Sequence, residues 1–276
     1  MQYAIRHRTQ YQYAQPVRDS FNELRLQPAS SDRQTVEAFL LKILPATRLQ
    51  SYRDFYQNNV HHFEIAEPHT RLAIESQFHV TTHPPPPLPL DARPADLTQI
   101  QPALQTEQLH DFVLASQYAD TDLPTWKTAL DVTAGETDVW QCALRLMEFV
   151  YRHLSYEPNS THVHTHMRDV LAQRRGVCQD FAHVFIGLGR CLQIPSRYIS
   201  GYLATETASA THAWVEVFIP GHGWQPLDPT HNCIPGETYV KIAAGRDYAD
   251  VAPVRGTYRG VTTHQMNVEI RIESRP

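Results

Sequence analysis

Cysteine is scarce: the 276 residues hold four, Cys142, Cys178, Cys191 and Cys233, and their spacing fits neither a disulfide framework nor a zinc ribbon. Long apolar runs are missing too. No stretch of about 18 apolar residues occurs, so no membrane-spanning helix is expected. The opening Met1-Gln2-Tyr3-Ala4-Ile5-Arg6-His7 lacks the apolar core of a signal peptide. Nor does one charge dominate: 24 Lys and Arg stand against 29 Asp and Glu, so neither nucleic acid nor an anionic membrane is an expected partner. A cytoplasmic protein is the expectation, with its oligomeric state open. What is present is a 42% hydrophobic content, enough for a real core, in a length that suits about two domains. Sixteen histidines are many, and those near the model value would make the surface more positive below pH ~6.5.

Residues 1–83 read as an antiparallel β-sandwich domain. Tyr3, Ile5 and His7 alternate with polar neighbours, as do Tyr11 and Tyr13. Residues 21–26, 36–44, 60–65 and 72–80 are further short runs between polar or proline-containing turns. His61-His62 reads as a solvated pair, because no third ligand stands at metal spacing. Four consecutive prolines, from Pro84 to Pro87, begin a stiff linker assigned to 84–104. Residues 105–276 form a second domain. Its segments 107–117 and 137–152 predict helices, the latter with Thr137 as N-cap and Val139, Trp140, Ala143, Leu144, Met147, Val150 and Tyr151 facing inward. Glu148 and Arg152 form a solvated i, i+4 pair. Alternation over 267–272 predicts a last strand.

The chain is organised around Arg175-Gly176-Val177-Cys178-Gln179-Asp180-Phe181-Ala182-His183. Apolar residues from Val177 to Leu192 recur at the spacing of one buried helix face. Gly176 permits a close approach before that helix. Cys178 therefore falls in the first turn, where unpaired N–H groups and the helix dipole favour a thiolate. A cysteine so placed is either a nucleophile or an ordinary packed residue. Downstream, residues 211–219 alternate as a half-buried strand with His212 at its start. Pro220-Gly221-His222-Gly223 turns the chain, and 224–229 returns as a strand. A hairpin of that length brings Asp228 back to the level of His212. Thiol, imidazole and carboxylate in these places have the form of a catalytic triad.

Four blocks in order carry a resemblance: Gly176-Val177-Cys178-Gln179-Asp180-Phe181-Ala182, Ile194-Pro195-Ser196-Arg197-Tyr198-Ile199-Ser200-Gly201-Tyr202, His212-Ala213-Trp214-Val215-Glu216, and Gly223-Trp224 with Asp228-Pro229-Thr230. With Gly245-Arg246-Asp247-Tyr248, the sequence over about 165–250 resembles the bacterial transglutaminase-like superfamily, whose members are described as transglutaminase-like enzymes or cysteine proteases. The resemblance implies an α+β fold: the N-terminal β-sandwich followed by a papain-like, transglutaminase-core cysteine proteinase domain of helices packed on an antiparallel sheet. It implies Cys178 as nucleophile, His212 as general base and Asp228 as its orienting partner. Transglutaminases place a tryptophan indole before the cysteine helix as an oxyanion donor; here that stretch offers Tyr156. Trp214 and Trp224 flank the triad positions and are candidate walls of an acyl site, or aromatic packing in a hairpin.

His162, His164 and His166 alternate as ligands on an extended strand would. Thr165, as N-cap of a short helix to Arg174, would turn His166 away, and no zinc-hydrolase motif accompanies them. No metal and no cofactor are expected. The expected chemistry is thiol-dependent acyl transfer on a peptide or protein substrate through an acyl-enzyme. Hydrolysis follows if water takes the acyl group and cross-linking if an amine does; the alternative is an inert binding scaffold of the same fold. The segment 204–210 carries no readable specificity.

Overall fold

The computed structural model describes residues 1–84, 95–106, 108–204 and 211–275. The chain runs β1 (Gln2–Gln27), β2 (Gln34–Leu44), β3 (Leu49–Arg53), β4 (Asn59–Ile65) and β5 (His69–Thr82), then α1 (Ile100–Thr106), α2 (Leu123–Thr133) and α3 (Val139–His153). After these come β6 (Ser155–Tyr156), α4 (Met167–Gln173), β7 (Arg175–Gly176) and α5 (Cys178–Cys191). Strands β8 (Ser196–Leu203), β9 (Thr211–Ile219), β10 (Gly223–Leu227) and β11 (Tyr239–Gly245) precede α6 (Tyr248–Val251), β12 (Val254–Arg259) and β13 (His264–Arg275). Among the described residues no helix is long and apolar enough to cross a membrane.

The N-terminal runs that alternate separately in sequence are one strand of 26 residues. Its first part pairs with β5 and β13, its second with β4 and β12. The register with β5 breaks between Gln12 and Val17, where Pro16 has no N–H to give a ladder. The strand thus leaves one layer and enters the other, so Tyr3 and Ile5 join the main core while Tyr13, Val17 and Leu24 build a second cluster. The strand expected near the C-terminus forms as β13. It pairs with β1 from Gln2 to Tyr13, so the last strands of the chain complete the N-terminal sheet.

The second sheet has the order β10-β9-β8-β11, and α5 packs against it. Ala213, Val215, Val217 and Ile219 of β9 face the main core with Phe181, Val184, Phe185 and Leu188 of α5. Gly189 lets the helix close on the sheet, since a Cβ there would lie 2.6 Å from the Ser196 hydroxyl. Gly187 serves a different contact, against Met167 of α4 and the Asp120 carbonyl. The other face of β9 is buried as well, with Trp214 2% and Phe218 7% exposed, where a half-buried strand was expected. The N-terminal domain covers part of that sheet. At the outer strand β11, the Gln34 amide donates to the Lys241 carbonyl and accepts from its N–H (2.8 and 2.9 Å). Asn58 does the same for Ala244 (2.8 Å each way). Two side-chain amides so stand in for a neighbouring strand, which satisfies an edge that would otherwise seek another chain.

Two helix expectations change. The described part of 107–117 holds only a 3-10 turn, His110–Phe112. Its carbonyls have another customer: the wholly buried Arg190 of α5 donates to the carbonyls of Phe112 (3.1 Å) and Leu114 (2.9 Å) and to the Ser116 hydroxyl (2.9 Å). Helix α3 begins one residue later than predicted, capped by the Asp138 carboxylate on the Gln141 N–H. Thr137 is engaged elsewhere, its carbonyl accepting from Leu97 N–H at 2.9 Å. Cys142 and Leu146 line the inner face of α3, while Tyr151 is exposed. Arg152 and Glu148 pair on its solvated side at 2.6 Å. The segment assigned as linker ends inside α1, which holds its Pro102, while Pro85, Pro86, Pro87, Pro89 and Pro94 lie outside the described residues.

Candidate active site

Cys178 is the first residue of α5, and its neighbours are arranged to hold it there. Val177 is extended, and its N–H donates to the Asp180 carboxylate at 2.8 Å, closing the first turn from outside. The Thr161 hydroxyl donates to the same oxygen at 2.6 Å. Burial pushes the Asp180 carboxyl up, against these two bonds. Gly176 is required by this packing, since a Cβ would stand 2.7 Å from that carboxylate. Gly176 also pairs with Tyr156 in the short parallel β6–β7 ladder. This places the Tyr156 ring near Phe181 (6.2 Å between centroids), and after burial, its interaction with Cys178 raises the phenol further.

His212 enters on β9. Register within the hairpin sets Leu227 of β10 opposite Val215, so Asp228 emerges one residue beyond, beside the start of β9. The result is a hydrogen bond of 2.7 Å from His212 Nε2 to Asp228 Oδ2, with the histidine 8% exposed and the aspartate fully buried. Burial works to strip the His212 proton, but hydrogen bonds to Asp228 and Cys178 and the charges on both outweigh it, raising His212 to about 9. Asp228 shows the converse. Burial disfavours its charge, yet bonds from His212, His231 and Tyr239 hold it well below the usual carboxylate range.

His231 and Tyr239 are partners that the sequence did not reveal. His231 Nδ1 and the Tyr239 hydroxyl each lie 2.7 Å from Asp228 Oδ2, while the N–H of Thr230 (2.8 Å) and of His231 (3.4 Å) donate to Oδ1. His231 was within reach of local reasoning, because a carboxylate followed three residues later by an imidazole in a tight turn is a short loop. Tyr239 was not, since it arrives from β11, two strands away from β9 in the sheet order.

The two tryptophans part company. Trp214 stacks beside His212 (6.1 Å, 21°) and edge-on to Tyr239 (5.4 Å). Gly201 makes room for it, since a Cβ would stand 2.6 Å from its ring. Trp224 meets Phe112 and Phe218, with the Arg197 guanidinium 4.0 Å over its ring. Both line a cleft of about 370 Å³ with Tyr239, Lys241 and the N-terminal Arg33. Glu216 crosses that cleft, paired to Arg197 (2.5 Å) and Lys241 (2.8 Å).

The histidine run does not converge. His164 Nδ1 lies 2.9 Å from the Tyr118 hydroxyl, and His166 caps α4, a role expected of Thr165; Thr165 Oγ1 accepts from the His162 N–H instead. Gly245-Arg246-Asp247-Tyr248 is a structural knot: Arg246 pairs with Asp250 (2.9 Å), and Asp247 caps α6 and accepts from Tyr118 N–H (2.9 Å). All four cysteines are free, and Cys233 is half-buried with its sulfur 3.4 Å from the Tyr239 hydroxyl. The segment 205–210 lies outside the described residues.

The raised His212 predicts a pH-dependent stability. Its folded value of about 9 exceeds the unfolded 6.5, so the protonated form stabilises the fold fully below about 6.5. That contribution, on the order of 3 kcal/mol, fades as pH rises and is gone above about 9. Urea midpoints of the wild type and His212→Ala should converge between pH 6 and 10. A constant gap would contradict the assignment.

A helix-tip thiol, a strand imidazole and a hairpin carboxylate on this α+β scaffold define a transglutaminase-like cysteine-protease fold. Residues 3–81 match the family described as the bacterial transglutaminase-like N-terminal region, and residues 127–229 match the transglutaminase-like superfamily core. An uncharacterised protein of Mycobacterium leprae is 32% identical over 274 residues, covering 96% of each chain. The solved structure of a candidate cysteine protease from Cytophaga hutchinsonii superposes with a TM-score of 0.80 at 25% identity, over 100% of this chain and 92% of that one. A protein-glutamine gamma-glutamyltransferase of Pseudomonas aeruginosa is 33% identical over 105 residues, 32% of this chain and 15% of that one. The chain belongs to the bacterial transglutaminase-like family.

Proposed function

We propose that this protein is a thiol-dependent acyl-transfer enzyme acting on a peptide or protein amide, with Cys178 as nucleophile, His212 as base and acid, and Asp228 as the group that steers His212. The observation that carries the reading is His212 held 2.7 Å from the Asp228 carboxylate and near enough to Cys178 that the sulfur helps to raise its pKa. With Nε2 committed to the carboxylate, Nδ1 is the nitrogen left for the sulfur. The sulfur attacks the carbonyl carbon, and the tetrahedral oxyanion forms over the start of α5. There the Cys178 N–H is outside the intrahelical ladder and is the natural first donor. Tyr156 is the proposed second donor. Tyr198 is an alternative the sequence did not suggest: it is buried, and after burial its strongest influence is Cys178. His212 then gives its proton to the leaving amine, and water or a second amine takes the acyl group.

The two fates correspond to the two descriptions among its relatives, a candidate cysteine protease and a protein-glutamine gamma-glutamyltransferase. An electrophilic thiol probe at pH 7 should label Cys178 at least about tenfold faster in the wild type than in His212→Ala. Equal labelling would remove the base from the mechanism and leave an inert scaffold. A peptide screen with and without a primary amine, read by mass, then separates hydrolysis from transfer.

A further inference from the structure

The donor atoms of His212, Asp228 and His231 all lie within 4.8 Å of one another. The triad chemistry uses only two of these residues. His231 is an addition that the acyl-transfer scheme does not need, and it is 48% exposed at its side chain while Asp228 is fully buried. The carboxylate is unusually fixed: Oδ1 accepts from the N–H groups of Thr230 and His231, and the Tyr239 hydroxyl reaches Oδ2 at 2.7 Å. Hydrogen-bonded outer partners of this kind orient a ligating carboxylate in metal sites. Two imidazoles and one carboxylate, with an approach from solvent through His231, suit a borderline ion such as Zn²⁺ over Ca²⁺ or Mg²⁺, which prefer oxygen ligands.

We propose that His212 Nε2, His231 Nδ1 and Asp228 Oδ2 form a regulatory Zn²⁺ site that holds the enzyme off. Each imidazole nitrogen now about 2.7 Å from Oδ2 would give up its proton to solvent and turn its lone pair to the ion, with water as fourth ligand. The acyl-transfer reading supplies the consequence. His212 bound through Nε2 keeps its remaining proton on Nδ1, facing Cys178, and cannot accept another. The base is removed while the thiol stays free. This differs from direct capture of the sulfur by metal, and the difference can be measured.

The experiment is isothermal titration of the metal-free full chain with Zn²⁺, without substrate, so its outcome is independent of whether the triad turns over. One site is expected in the wild type and, with affinity unchanged within about threefold, in Cys178→Ala. His231→Ala and His231→Gln should each lose at least roughly tenfold, since even outer partners of a metal ligand cost that much. Circular dichroism at an exposed position such as 231 controls for folding. Binding lost in Cys178→Ala, unchanged in both His231 variants, or missing from the wild type would each overturn the site.

Discussion

Cys178→Ala is expected to bring acyl transfer down to background, a loss of roughly 10⁵–10⁶ in kcat/KM, with the protein still folded. The sulfur occupies the first position of a helix whose remaining residues are almost wholly buried, so the helix does not depend on it. His212→Ala should cost nearly as much, and the double variant should be no worse than either single one within about tenfold, because the two act as one unit. Asp228→Asn is the informative third member. It keeps the shape but withdraws the charge that outweighs burial at His212, so His212 should fall from about 9 and activity by roughly 10⁴. Steady-state rates on the best peptide from the screen provide the check. Wild-type turnover in the Cys178 variant would end the proposal.

Arg190→Met should be the most destabilising single change away from the site. The side chain has no exposed surface, and its guanidinium donates to the carbonyls of Phe112, Leu114, Ser196 (3.1 Å) and Arg246 (2.6 Å) and to the Ser116 hydroxyl. Burial lowers its pKa only to about 10, so it remains charged at neutral pH. Methionine would fill much of the volume and leave those acceptors unpaired, at about 3–5 kcal/mol. In a chain of this size that is a fall of roughly 6–20 °C in Tm. Arg190→Lys should recover little, because a point charge cannot reach five acceptors spread over three separate segments. Thermal unfolding of the three proteins decides it; a Lys variant as stable as the wild type would show that charge alone matters.

Arg190 also illustrates where sequence reasoning stops. In the sequence it is a cation in the last turn of a helix, a place the dipole favours, and nothing nearby hints that it is buried. Its partners come from the 112–116 segment, from β8 and from the β11–α6 turn, so the loss of the expected 107–117 helix and the fixing of Arg190 are one event. The two-sided burial of β9 has a similar origin. Alternation distinguishes its two faces, but what covers the outer one, Tyr239 against Trp214 and Trp224 against Phe218, comes from other strands of the sheet.

The sequence by itself determined the parts whose cause is local. A glycine before an apolar helix places Cys178 at its tip, and a hairpin of fixed length returns Asp228 to His212; both depend on spacings of a few residues. Strand alternation over residues 1–83 is equally local, whereas the α+β class as a whole is what the family resemblance implied. Only the tertiary structure decided that β1 is continuous, that β12 and β13 close the first sheet, and that Tyr239 of β11 reaches the carboxylate that His212 uses. Those contacts join segments whose meeting depends on sheet order and strand register, and these are set by the packing of the whole core, which no short stretch encodes.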